Sequence, residues 1–164
     1  MTEFLTLLRR DHHDLEVGLD ELMEAVSLSQ LRSALDGVRL GLTAHAEAED
    51  IVLYKALQRI DDRAALESFV GQAREAHLAQ EGALASLVCA RPGTSTWRER
   101  ARFLRNMVRD HAFFEEQEVV PRIRQVAPDV YDHLAGEFAT ERLRQLAQLQ
   151  PSAPISIAEL ARAS

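Results

Sequence analysis

Four histidines, His12, His45, His77 and His111, recur at intervals of 33, 32 and 34 residues, and the helical pattern breaks midway between each pair. The breaks fall near Leu28 inside S-L-S, at Asp61 in D-D, and at Thr94 inside P-G-T-S-T. In an antiparallel helical hairpin, two residues stand at the same height when the turn lies halfway between them. At about 1.5 Å per residue, each histidine lies roughly 25 Å from its turn, so four helices folded at these breaks bring all four imidazoles to one level. Packing alone does not gather four imidazoles in a core layer, because each would need a buried polar partner. The spacing therefore predicts a four-helix bundle built around metal ions.

The apolar periodicity supplies the helices. The first runs from about Thr2, as N-cap, to Ser27–Ser29, with a seam of Leu5, Leu8, His12, Leu15, Leu19, Leu22 and Val26. The second runs from near Ser29 to about Ile60 on the seam Leu31, Leu35, Val38, Leu42, His45, Glu49, Val52 and Ala56. Asp61–Asp62 break it and cap a third helix with Leu66, Val70, Ala73, His77, Gln80, Leu84 and Leu87, which stops at Arg91-Pro92-Gly93. Thr96 and Glu99 stand at a capping-box spacing for a fourth helix, through Trp97, Ala101, Leu104, Val108, His111 and Glu115, which Pro121 kinks or frays. A shorter fifth helix spans about Pro128 to Leu149. The expected division is a bundle at 1–126, the fifth helix at 127–149 covering it or forming an interface, and a loosely attached tail at 150–164 in which Ser156 and Glu159 can cap a last turn.

The seam also sorts the carboxylates. H-A-E-A-E at His45–Glu49 and H-A-F-F-E at His111–Glu115 each place a glutamate four residues after a histidine, on the same helical face. In these two helices the seam steps from the histidine directly onto Glu49 and Glu115. In the first and third it steps by three, onto Leu15 and Gln80, leaving Glu16 and Glu81 at the flank as further candidate ligands or acceptors for imidazole N–H groups. A glutamate on a central seam position is costly unless a metal or cation neutralises it, so Glu49 and Glu115 read as ligands bridging two metals. The ligand set is His12, His45, Glu49, His77, His111 and Glu115, whose donors suit iron, manganese or zinc. His13, off the seam, reads as a surface residue, Tyr54 as a half-buried residue or a hydrogen-bond donor near the site, and Cys89 as a core thiol. Phe113 and Phe114 read as packing, with Phe114 placed to wall a ligand pocket.

The remaining composition narrows the class. The chain has 164 residues, 46% of them hydrophobic, enough for one domain with a sizeable core. A net charge of −7 argues against nucleic acid or an anionic membrane as the main partner. One cysteine, no uncharged run of membrane-spanning length and no signal-peptide pattern at the start suit a soluble cytoplasmic protein.

At these residues the chain resembles the hemerythrin-like HHE cation-binding family. The resemblance rests on D-H at Asp11-His12, H-x-x-x-E-D-x-V-L-Y at His45–Tyr54, His77, and H-x-x-x-E-E at His111–Glu116 followed by V-V-P, and it covers roughly residues 1 to 125. It implies an all-α, up-down-up-down bundle with a non-heme di-iron centre, oxo- or hydroxo- and carboxylate-bridged, with an open position for a small oxidant: O2, H2O2 or NO. The oxygen-carrying hemerythrins place two histidines four apart on the third helix. Here the positions four from His77 are Ala73 and Glu81, which weighs against reversible oxygen carriage in the strict sense. Redox turnover of the oxidant is one implied task. Oxygen, redox or iron sensing and iron handling, signalled through the fifth helix as an interface for a homodimer or protein partner, is the alternative.

Overall fold

The structure, a computed structural model, describes residues 3–61 and 63–149. Four long helices run up, down, up and down: α1 (Phe4–Glu24), α2 (Leu28–Gln58), α3 (Ala64–Val88) and α4 (Ser95–Phe114). A π-helical turn, Glu115–Val119, carries α4 into α5 (Val120–Val126) as one continuous rod, and α6 (Pro128–Leu149) returns along the outside. Each of the four packs on its neighbours in a closed ring, and α6 lies across α2 and α1. Among the described residues no helix is long and apolar enough to cross a membrane.

The turns follow the expected breaks with local differences. Ser27 caps α2: its hydroxyl accepts from the Gln30 amide while the Gln30 side chain reaches back to the cap amide, a full capping box two residues before the expected start. This ends α1 early, so Val26, expected on the seam, is 91% exposed. Thr94, not Thr96, caps α4 by accepting from the Trp97 amide. The chain reaches that cap through Gly93 at φ +80°, a conformation that favours glycine. The cap position of α3 is Arg63, which makes no side-chain cap bond. Asp62, the Thr2 cap and the 150–164 tail with Ser156 and Glu159 lie outside the described residues.

Pro121 does not fray the rod. A proline ring clashes with the carbonyl four residues back in a regular helix. Here the preceding turn is widened, and the Val120 amide donates to Glu115 five residues back. The helix then continues to Val126 with Val119, Val120 and Ile123 all buried. The expected fifth helix is α6, which at 22 residues matches the length of α1 at 21 rather than being short.

The buried apolar side chains form two blocks. One holds Leu15, Leu19, Leu22, Val38, Leu42, Leu84, Leu87, Trp97, Leu104 and Val108. The other holds Phe4, Leu8, Val52, Leu53, Leu66, Val119, Val120 and Ile123, together with Tyr131, Leu134 and Phe138 of α6. Along every helix the seam histidine stands between residues of the two blocks, so the polar layer is sealed above and below by hydrocarbon. The α6 helix covers only the second block. Cys89, expected in the core, is exposed just past the last turn of α3, where the seam has ended at Leu87. Tyr54 and Phe113 are exposed as well, facing away from the seam.

Candidate metal centre

All six expected ligands are buried in one layer: His12 from α1, His45 and Glu49 from α2, His77 from α3, His111 from α4 and Glu115 at the start of the π turn. Five of them, His45, Glu49, His77, His111 and Glu115, bring donor atoms to within 4.8 Å of one another. The sixth, His12, sets its Nε2 3.1 Å from Glu115 Oε2. Glu115 faces two ways, with Oε1 2.9 Å from His111 Nε2 and 3.9 Å from His77 Nε2. Glu49 Oε2 lies 3.4 Å from His45 Nε2 and 4.0 Å from His77 Nε2. The Nε2 atoms of His77 and His111 converge to 2.7 Å. Each carboxylate thus stands between histidines of different helices.

The polar accounting shows what the layer lacks. Both oxygens of Glu49, both of Glu115 and His12 Nε2 are buried without a hydrogen-bond partner among the described residues. Buried carboxylates are ordinarily fully hydrogen-bonded or neutralised. These orphaned lone pairs point inward at one another, which is the arrangement a cation satisfies. Burial and the charge of Glu115 push Glu49 well above the usual carboxylate range. Burial acts on Glu115 in the same sense, but the imidazoles of His111 and His12 outweigh it and hold that group ionised, well below the usual range. Burial also opposes the charge of His12, yet the Glu115 carboxylate 3.1 Å away and the bond to Glu116 raise it to about 9. His45, fully enclosed, is lowered by burial to about 4.

Behind the layer, three imidazoles donate their outward nitrogen to a carboxylate on a neighbouring helix. His12 Nδ1 meets Glu116 at 2.9 Å, His45 Nδ1 meets Asp11 at 3.0 Å, and His77 Nδ1 meets Asp50 at 2.8 Å. Such bonds fix the tautomer and leave Nε2 aimed inward, able to serve as a metal ligand. Each acceptor adjoins a layer residue in sequence: Asp11 beside His12, Asp50 beside Glu49, Glu116 beside Glu115. The chain of bonds passes from the π turn to α1, α2 and α3 and stops there. Among the described residues His111 Nδ1 has no partner, since the neighbours of His77 on α3 are Ala76 and Leu78. Glu81 is exposed and Glu16 half-buried, and neither forms an ion pair with a histidine of the layer. The acceptor part foreseen for them falls to Asp11, Asp50 and Glu116.

A cavity of about 280 Å³ opens between α3 and α4, lined by Ala76, Gln80, His111 and Phe114 among others. Gln80 is 2% exposed, and neither of its side-chain polar atoms has a partner among the described residues. Wider grooves between α1 and α2, about 710 Å³, and between α2 and α6, about 760 Å³, are lined by none of the six layer residues. Of these three openings, the α3–α4 one is lined by a layer residue, His111, on the side where the outer chain of bonds is missing.

Comparison with known proteins agrees with this geometry. A protein named DNA nickase from Nostoc sp. (strain PCC 7120 / SAG 25.82 / UTEX 2576) is 27% identical over 138 residues. The alignment covers 80% of this chain and 37% of that protein, so the chain spans well under half of its relative's length. No solved structure gives a significant match. The model of the hemerythrin HHE cation-binding domain matches residues 3–123, the stretch from the start of α1 through the π turn that supplies all six buried donors. By that match, and with a buried histidine–glutamate layer able to hold a metal, the chain belongs to the hemerythrin HHE cation-binding domain family.

Proposed function

We propose that this chain is a non-heme di-iron protein that binds or reacts with a small oxidant, O2, H2O2 or NO. The observation that carries the reading is the set of orphaned oxygens on Glu49 and Glu115, buried between histidines of four helices. Two ions rather than one are favoured by Glu115, whose two oxygens face different histidines, His12 on one side and His111 on the other. Iron is chosen by family resemblance, since manganese and zinc suit the same donors. When bound, iron supplies one-electron chemistry and an open coordination position. The protein's own part is to aim the imidazoles of His12, His45 and His77 through fixed tautomers, to exclude bulk water with the two apolar blocks, and to admit a small molecule past Phe114 and Gln80. Gln80 can offer such a molecule a hydrogen bond that no protein group uses.

The alternative, in which occupancy is sensed and passed to a partner, is favoured by one observation: Phe138 of α6 packs edge-on against His45, ring centroids 6.0 Å apart. The relative's name is not extended to this chain, whose charge of −7 is opposite in sign to a nucleic-acid footprint. The reading is tested by metal content per chain after growth with iron, with the optical spectrum before and after reduction. About two irons per chain and a near-ultraviolet band that bleaches on reduction support it. Less than about a tenth of an equivalent of any metal in folded protein refutes it.

A further inference from the structure

The residues matched by the family model end at 123, yet the helix beyond them reaches the centre. Arg142 of α6 grips Asp11 with two nitrogens, Nε donating to Oδ2 and Nη2 to Oδ1, both at 2.6 Å. Asp11 Oδ2 is the same oxygen that accepts from His45 Nδ1. One turn back on α6, Phe138 packs against the His45 ring. His45 is thus held from α6 by two independent contacts, one polar and one apolar.

The other two pairs lack this. Arg9 reaches Glu116, the acceptor of His12, through Nε alone, from a side chain 52% exposed and on the same helix as His12. Among the described residues no cation pairs with Asp50 behind His77. A planar guanidinium bonded to both oxygens of a carboxylate fixes that carboxylate's plane, whereas a single bond leaves it free to turn. The plane of Asp11 in turn sets the direction of His45 Nδ1 and so of Nε2.

We propose that Arg142 is a positioning residue of the metal centre, acting on His45 through Asp11, and that α6 is thereby a working part of the site whose docking and metal occupancy are linked. The inference rests on the metal-centre reading. Linkage is reciprocal: if seated α6 aids metal binding, bound metal must aid the seating of α6 by the same factor.

The control is built into the same helix. Arg59 of α2 forms a comparable two-pronged pair with Glu137 of α6, at 2.6 and 3.0 Å, and its loss loosens α6 without touching a ligand's partner. The experiment compares wild type, Arg142→Gln, Arg142→Lys and Arg59→Gln in the full chain. The readouts are Zn2+ affinity by chelator competition, the visible spectrum of the Co2+ form, and deuterium exchange of α6 amides with and without Zn2+. Removing groups behind metal ligands weakens binding by about 10–100-fold, and for Arg142, one bond further out, about tenfold is expected. Arg142→Gln should show that loss and an altered Co2+ spectrum, with Arg142→Lys in between, while Arg59→Gln keeps wild-type affinity and spectrum. Zn2+ should slow exchange in α6 of the wild type and much less in Arg142→Gln. Equal losses in Arg59→Gln and Arg142→Gln would reduce Arg142 to a general tether and overturn the proposal, as would unchanged affinity and spectrum in Arg142→Gln. A wild type that takes up neither Zn2+ nor Co2+ overturns the metal-centre reading and this inference together.

Discussion

A buried carboxylate with no hydrogen-bond partner destabilises any state that leaves it so, and Glu49 stands in that position until a cation reaches it. Replacing it with leucine, similar in length and apolar, removes two orphaned oxygens and the repulsion from Glu115. An unsatisfied buried polar group costs about 1–3 kcal/mol, so Glu49→Leu should stabilise the metal-free protein by about 2 kcal/mol. For a chain of this size that is about 4–8 °C in Tm. The pH dependence gives the sign an independent check. The Glu49 carboxyl is raised above its ordinary 4.5 in the folded protein. Its favourable contribution is therefore present below 4.5 and lost as pH rises through the folded value. The advantage of the leucine variant should accordingly be small in acid and grow above pH 4.5. With metal the order should reverse, because ligand binding stabilises by about 2.7 kcal/mol at a hundredfold excess over Kd and the variant lacks the proposed Glu49 ligand. Circular-dichroism melts in chelator and in Zn2+, across pH 4 to 8, measure both effects. A leucine variant that melts below wild type in chelator would refute the reasoning, since Glu49 would then be satisfied by the protein alone.

Three further outcomes are expected. Metal uptake must expel the proton that Glu115 and Glu116 hold on His12 up to about pH 9. Apparent Zn2+ affinity, corrected for chelator protonation, should therefore rise by up to about tenfold per pH unit between pH 6 and 8, and a flat profile would contradict it. Phe138→Ala should lose about 3–5 kcal/mol in urea unfolding, because the ring is buried and also meets Phe4 at 5.7 Å. A loss below about 1 kcal/mol would mean that α6 does not pack as part of the core. Ser27→Ala should cost about 1 kcal/mol through the α2 cap and leave metal binding untouched, because Ser27 is far along the helix from His45. Equal metal affinity with a lower Tm is the pattern to look for.

What the sequence made legible was whatever lies on the seam. His12, His45, Glu49, His77, His111 and Glu115 share the phase of the leucines around them, and the four histidines lie equidistant from the breaks, so burial could be read from phase and height from spacing. Asp11, Asp50 and Glu116 were missed as acceptors because they stand one position off the seam, about 100° around the helix. From there they face the neighbouring helix, which is where the outward nitrogen of a seam histidine also points. Glu16 and Glu81, four residues after a histidine but off the seam, pair with no layer histidine among the described residues. The adjacency of each acceptor to a layer residue, in D-H, E-D and E-E, was the available signal. The α6 contacts were illegible for a different reason: Phe138 and Arg142 meet His45 and Asp11, 93 and 131 residues away, and nothing local records them.

The π turn at Glu115–Val119 has a genetic consequence. Such a turn is an α-helix carrying one surplus residue, and it commonly sits at a functional site. Here the surplus falls between Glu115, which enters the layer, and Val119–Val120, which return to the apolar block. Removing one codon, for instance that of Gln117, would keep the downstream valines facing inward, at the cost of setting the Pro121 ring against the carbonyl four residues back. Elsewhere on these seams, loss of one residue would turn every later side chain by about 100° and empty the core. This short stretch is thus where a descendant gene could shed or reshape the carboxylate pair Glu115–Glu116 while the bundle survived. Lineages of this fold that have changed their metal chemistry are expected to differ in length at this turn before they differ in the leucines around it.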